Sequence, residues 1–272
     1  MCLSNAAEVV RNAEVFVVTA GAGMGVDSGL PDFRGDQGFW KAYPAYSRLG
    51  LSFADCASPW HFADDPSFGW GFYGHRTNLY RNTVPHEGFH IIRKWIERSG
   101  GNYFAVTSNV DGQFQKAGYA DDHILEVHGS IHWLQCQTPC SSTVWNNDEV
   151  FRIDNISMRA AYPLPRCPDC GEVSRPNILM FGDCAWLPDR TRIQEYAFDR
   201  FLKTHANRRI AVIEMGAGSA IPTIRATSER IGWNFEHATV IRINPREPEI
   251  KAPHISLACG ALEGLRNIDA LL

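Results

Sequence analysis

Cys136-Gln137-Thr138-Pro139-Cys140 and Cys167-Pro168-Asp169-Cys170 form two close cysteine pairs with 26 residues between them. A close pair on a tight turn presents two thiolates to one ion, and two such turns complete a tetrahedral four-sulfur site of the kind that holds Zn²⁺. A closed site of this kind leaves no open position for water, so the spacing predicts a structural zinc at Cys136, Cys140, Cys167 and Cys170. The other four cysteines, Cys2, Cys56, Cys184 and Cys259, have no such spacing and are expected to be bystanders.

A second candidate for chemistry is the run Gly21-Ala22-Gly23-Met24-Gly25-Val26. Glycines directly after a strand let backbone N–H groups approach a pyrophosphate closely. The run fails the dinucleotide fingerprint G-x-G-x-x-G because Val26 holds its last position, and Lys41 and Ala42 stand where an acid would bind ribose. A conventional hydride-transferring dehydrogenase is therefore disfavoured. Taken alone, the loop is either a phosphate site or a tight turn.

These groups need a scaffold. Val15 to Thr19, Tyr103 to Thr107, Ile210 to Ile213 and Thr239 to Ile243 are short apolar runs that each stop at a turn. Such runs fit central strands covered on both faces. Gly88 to Arg98 carries Phe89, Ile92, Trp95 and Ile96 at helical spacing. Alternating strands and helices predict an α/β fold: a doubly wound, parallel, Rossmann-like sheet with ligands at its C-terminal edge. Two segments interrupt it. Twelve aromatic residues between Phe39 and Tyr80 predict a helical lid over 39–87, and the paired cysteines mark a zinc module over 131–176. Together these form the small domain; 1–38, 88–130 and 177–272 form the discontinuous nucleotide-binding domain.

At 272 residues, 44% hydrophobic and 21% charged, the composition is that of a globular chain and excludes disordered, collagen-like and coiled-coil classes. The net charge of −4, without any long run of Lys or Arg, argues against nucleic acid or an anionic membrane as partner. The opening Met1 to Glu8 lacks the pattern of a secretory or transit signal, and no apolar stretch approaches a membrane span, so a cytoplasmic protein with reduced thiols is expected.

The run from Gly21 through Gly29-Leu30-Pro31-Asp32-Phe33-Arg34-Gly35 resembles the signature of the sirtuin family of NAD-dependent protein deacylases, of bacterial type. Thr107-Ser108-Asn109-Val110-Asp111, His128-Gly129-Ser130, the four cysteines, Ile178 to Asp183 and Ile243-Asn244 follow in the family's order. Gly216-Ala217-Gly218-Ser219 is similar to its Gly-Thr-Ser loop. The resemblance spans nearly the whole chain. It implies NAD as co-substrate, with the pyrophosphate on Gly21, Ala22, Gly23, Met24 and Gly25. It places Asp32, Phe33 and Arg34 over the nicotinamide half, and Ser108, Asn109 and Asp111 at the nicotinamide ribose and pocket. Gly216 to Ser219 and Asn244 fall on the adenosine side. Ile178, Phe181 and Gly182 match the segment that receives an acyl-lysine protein or peptide. His128, at the end of the apolar run Ile124 to Val127, takes the role of general base, with Asn109 as the second catalytic residue; an imidazole suits a base working near neutral pH.

Tyr73-Gly74-His75-Arg76 matches the family's Tyr-x-x-Arg acyl-pocket motif in its outer residues, and a guanidinium can clamp a succinyl-type carboxylate bidentately. The expected activity is deacetylase or desuccinylase chemistry releasing nicotinamide and O-acyl-ADP-ribose. Three departures stand out: Ser108 replaces the family's glutamine, Gln113-Phe114 replaces Leu-His, and Gly25 replaces serine. Ser108 removes an amide from beside the reacting ribose, which keeps open a mono-ADP-ribosyltransferase or NAD glycohydrolase. A catalytically weak NAD- and zinc-binding regulatory module is the third reading, and the retained Asn109, Asp111 and His128 argue against it.

Overall fold

A computed structural model describes residues 2–31, 35–154 and 156–272. Eleven strands occur among them: β1 (Val15–Ala20), β2 (Tyr103–Thr107), β3 (Ile124–Glu126), β4 (Gly129–Cys136), β5 (Val144–Asn146), β6 (Ile153–Asp154), β7 (Arg159–Ala160), β8 (Ser174–Ile178), β9 (Ile210–Met215), β10 (Ala238–Ile243) and β11 (Ile255–Leu257). Six of them make one parallel sheet in the order β11-β10-β9-β1-β2-β3. The chain leaves β1 towards β2 on one side and returns beside β1 as β9 on the other. The C-terminal ends of β1 and β9 therefore flank a topological switch point, where an open α/β sheet leaves a crevice.

Alternation along each strand explains why these runs are largely apolar. In β1, Phe16 and Val18 face the helices Cys2–Asn12, Glu87–Arg98 and Ala261–Asp269. Val15 and Val17 face the helices Asp189–Thr204 and Thr223–Asn234 on the opposite side. A strand covered on both faces cannot alternate polar with apolar, since side chains on either side enter a core. Each fully buried valine or isoleucine contributes about 1.5–3 kcal/mol relative to exposure. The four expected strands are present, and β11 joins them at the sheet edge, its three residues too short a run to stand out in sequence.

The second unit is built around the antiparallel sheet β5-β4-β8. The aromatic segment folds into short helices and one long one, Pro66–Asn82, whose Trp70, Phe72 and Tyr73 are buried. Its core is shared: Phe39, Tyr46, Phe62 and Trp70 pack with Ile131, Leu134 and Ile178 of β4 and β8. Gly71 is needed here, because a Cβ would run into the Met158 carbonyl. The aromatic helices and the cysteine-bearing sheet thus close one common core. No helix among the described residues is long and apolar enough to cross a membrane.

Candidate active site

Two glycine loops form the floor of the crevice. Gly21 follows β1 and opens a short 3₁₀ helix, Ala22–Ser28; Gly216 follows β9. The Gly21 amide donates to the Met215 carbonyl at 3.0 Å, and the Gly23 amide to the Gly216 carbonyl at 3.0 Å. A Cβ on Gly21 would sit 2.8 Å from Ala217 Cα, and one on Gly216, whose φ is +59°, would overlap the Gly23 backbone. Both glycines are thus required by backbone-on-backbone contact, with the left-handed φ a second reason at Gly216. His86 fastens the loop from behind. Its Nδ1 accepts from the Gly88 amide, so Nε2 carries the proton and donates to the Met24 carbonyl at 3.0 Å. Met24 itself is buried in the main core and does not face the crevice.

Asn244, at the end of β10, is fully buried beneath the second loop. Its amide donates to the Ala217 carbonyl at 2.8 Å, and its Oδ1 accepts from the Arg246 and Glu247 amides. Ser219 is held by Glu247, donating its hydroxyl to Oε1 at 2.6 Å and its amide to Oε2 at 2.8 Å. Asn244 and Ser219 therefore shape the loop, and neither lines the cavity in front of it.

The ends of β2 and β3 supply the next wall. Ser108 donates its amide to the Ala20 carbonyl, and Asn109 donates its side-chain amide to the Gly21 carbonyl at 3.0 Å. Asn109 is thereby pinned directly above the first glycine loop. Two residues on, Asp111 accepts from the Gln113 amide at 3.0 Å and is buried. Burial pushes its carboxyl up to about 6; the Gln113 bond and nearby Arg76 offset part of the rise, while Glu126 adds to it. His128 lies one residue before β4, with its carbonyl accepting from the Leu179 amide at 3.0 Å. Burial lowers its imidazole below the ordinary histidine value, and a hydrogen bond to the Ser108 backbone opposes this. The ring is therefore neutral at physiological pH, the state a general base needs.

The third wall comes from the aromatic helix. Tyr73, Arg76 and Tyr80 all lie on one face of Pro66–Asn82, as their spacing of three and four residues dictates. Arg76 is 6% exposed and packs against the rings of Phe53, Phe72, Tyr73 and Tyr80 at 5.1–5.6 Å. Ile178, Met180 and Phe181 extend this wall, the last donating its amide to the Ala57 carbonyl at 3.0 Å. Gly182 takes a φ of +68° just beyond this wall.

One cavity of about 410 Å³ joins all three walls. Of the residues expected from sequence, it brings together Gly21, Ala22, Gly25, Ser108, Asn109, Asp111, His128, Tyr73, Arg76, Ile178, Phe181 and Gly216 to Gly218. Gly23 supports it from the loop backbone, while Asp32, Phe33 and Arg34 lie outside the described residues. Tyr80, Phe53 and Leu30 also line it and were not anticipated. Tyr80 could have been found from its position seven residues after Tyr73 on one helical face. Its volume lies within the usual range for small-molecule sites, and it stands at the switch point, with few polar groups set among apolar ones.

The four cysteines stand apart from this cavity. Their sulfurs all lie within 4.8 Å of one another, with Cys136 and Cys170 at 3.7 Å and Cys140 and Cys167 at 3.6 Å. Four sulfurs at about 2.3 Å from one Zn²⁺ would be separated by roughly 3.8 Å, so the donor set fits a tetrahedral structural zinc. Strand β4 runs from Gly129, next to His128, to Cys136, which ties the metal site to the wall of the cavity. Cys2, Cys56, Cys184 and Cys259 take no part in the cluster.

A model of the Sir2 family matches residues 21–198. An NAD-dependent protein deacylase 1 from Caldanaerobacter subterraneus subsp. tengcongensis is 31% identical over 257 residues, covering 94% of this chain and 93% of that protein. An NAD-dependent protein deacylase from Thermus thermophilus is 29% identical over 269 residues, covering 97% and 92%. Among solved structures, that of a Sir2 homolog–NAD complex superposes with a TM-score of 0.71 at 25% identity, covering 98% of this chain and 94% of that one.

Proposed function

The chain belongs to the Sir2 family, and we propose that it is an NAD-dependent protein-lysine deacylase whose acyl pocket favours an acidic acyl group. The observation that carries this reading is the single cavity that places two glycine loops, Asn109, Asp111, His128 and the Tyr73–Arg76 wall around one space. NAD bound there supplies a ribose carbon from which nicotinamide departs as the acyl oxygen of a modified lysine attacks.

The chain's own residues do the rest. Gly21, Ala22 and Gly25 line the cavity where the pyrophosphate would lie, and their small or absent side chains let it approach the loop backbone closely. Asn109, pinned on the Gly21 carbonyl, orients the nicotinamide ribose, and buried Asp111 receives the carboxamide end. His128, neutral because it is partly desolvated, accepts a ribose hydroxyl proton and so starts acyl transfer to the sugar. Leu30, Val110, Met180 and Phe181 exclude water from the acyl chain. Arg76 stands where a terminal carboxylate would end, and Tyr73 walls the same position. Mono-ADP-ribosyl transfer or NAD hydrolysis is the second reading, favoured by Ser108, whose short side chain cannot supply the amide that the family's glutamine places there.

The test of the acyl preference is a panel of acetyl-, succinyl- and longer-acyl-lysine peptides with wild type and Arg76→Met. Selective loss of succinyl turnover in Arg76→Met supports the reading. Unchanged succinyl turnover refutes the clamp.

A further inference from the structure

A buried guanidinium is a poor anchor unless something fixes its plane, because the cation's five N–H groups point in set directions and desolvation is expensive. Among the described residues, Tyr80 makes a contact with Arg76 that is directional in this sense. The Tyr80 hydroxyl accepts from both Nε and Nη2, at 3.0 and 2.8 Å. Tyr80 lies one helical turn after Arg76 on the same face and is 4% exposed, and its ring also stands 5.4 Å from the guanidinium carbon. The phenol therefore grips one side of the fork and sets its plane, and Asp111 is close enough to act on both side chains.

We infer that Tyr80 is a specificity-determining positioning residue: by gripping the Nε–Nη2 side of Arg76, it aims the terminal Nη1–Nη2 edge at the carboxylate of an acidic acyl group. The inference rests on the reading of Arg76 as the acyl anchor. Tyr80 touches the guanidinium through its oxygen, so its hydroxyl matters and its ring does not suffice. Tyr73, the aromatic partner in the Tyr-x-x-Arg pattern, walls the pocket at 5.5 Å from the guanidinium carbon but makes no such grip. Burial keeps the Tyr80 phenol protonated, so it stays a neutral acceptor across the working pH range.

The experiment compares wild type, Tyr80→Phe, Arg76→Met and the double variant, each with succinyl- and acetyl-lysine peptides in the presence of saturating NAD. Tyr80→Phe keeps the ring and removes the grip. It is expected to raise the succinyl KM about tenfold relative to the acetyl KM, the scale of one charge-assisted hydrogen bond, with the selective change falling on KM rather than kcat. On the Arg76→Met background, where no buried cation is left without its acceptor, Tyr80→Phe should leave the succinyl-to-acetyl ratio unchanged. Parallel changes in both KM values, an unchanged succinyl KM, or a further fall in the ratio in the double variant would each overturn the role of Tyr80. If Arg76→Met itself leaves the ratio untouched, the acyl-anchor reading fails and the Tyr80 inference fails with it. If Arg76→Met abolishes the succinyl preference while Tyr80→Phe does not alter it, only the Tyr80 inference fails.

Discussion

Replacing Asp111 with asparagine should make the protein more stable and less active. The carboxyl titrates near 3.8 in an open chain and is pushed up to about 6 in the fold, chiefly by burial. Because the folded value is the higher one, the fold favours the protonated acid. That advantage is complete below pH 3.8 and is lost as pH rises through 6. By pH 7.5 the fold carries the full penalty of an ionised Asp111, about 3 kcal/mol, and at pH 5 about half of it. An asparagine has no charge to desolvate, yet its Oδ1 can still accept from the Gln113 amide. Urea denaturation of wild type and Asp111→Asn should therefore show a gain of about 3 kcal/mol at pH 7.5, falling to about 1.5 kcal/mol at pH 5. NAD-dependent turnover should drop sharply in the same variant, since a charge held at this cost is retained for what it binds. A variant less stable than wild type at pH 7.5, or a gain that does not change with pH, refutes the reasoning.

Two other perturbations follow from the floor of the cavity and from the metal site. Gly216→Ala must resolve an overlap with the Gly23 backbone at a φ of +59°, so NAD affinity measured by titration calorimetry should fall at least about tenfold and stability by about 2 kcal/mol; an unchanged Kd for NAD contradicts the paired-loop floor. Cys167→Ser should reduce bound zinc from one per chain, measured by metal analysis, and lower turnover although no cysteine lines the cavity, because β4 joins Cys136 to the residue after His128; full activity in a zinc-free protein would contradict that coupling.

Much of this molecule is legible in its sequence, for reasons that differ between elements. β1, β2, β9 and β10 stand out because both of their faces are buried, which leaves their runs largely apolar; the charged exceptions, Glu214 of β9 and Arg242 of β10, are buried as an ion pair. β11 does not, being three residues with Ser256 at its centre. The aromatic density of 39–80 announces a packed helical segment, but not that its core is completed by Ile131, Leu134 and Ile178 from the cysteine-bearing sheet. Spacing alone brings the four cysteines together. The residues around the cavity are recognisable as ordered motifs, whereas what each one touches is not. Asn244 and Ser219 turn out to brace the second loop through the Ala217 carbonyl and Glu247. Tyr80 meets Arg76 through helical spacing of four residues, which the sequence offers, but that this face is the one turned towards the cavity is visible only in the fold.

We propose that one cavity carries both NAD cleavage and acyl transfer, with His128 as the base between them. The most direct test is to incubate wild type and His128→Ala with NAD and a succinyl- or acetyl-lysine peptide and to identify the sugar product by mass spectrometry. The predicted result is O-acyl-ADP-ribose, nicotinamide and free lysine peptide from wild type, and none of the acyl-sugar from a His128→Ala protein that still holds its zinc. ADP-ribosylated protein or free ADP-ribose without acyl transfer, or wild-type rates from His128→Ala, would contradict it.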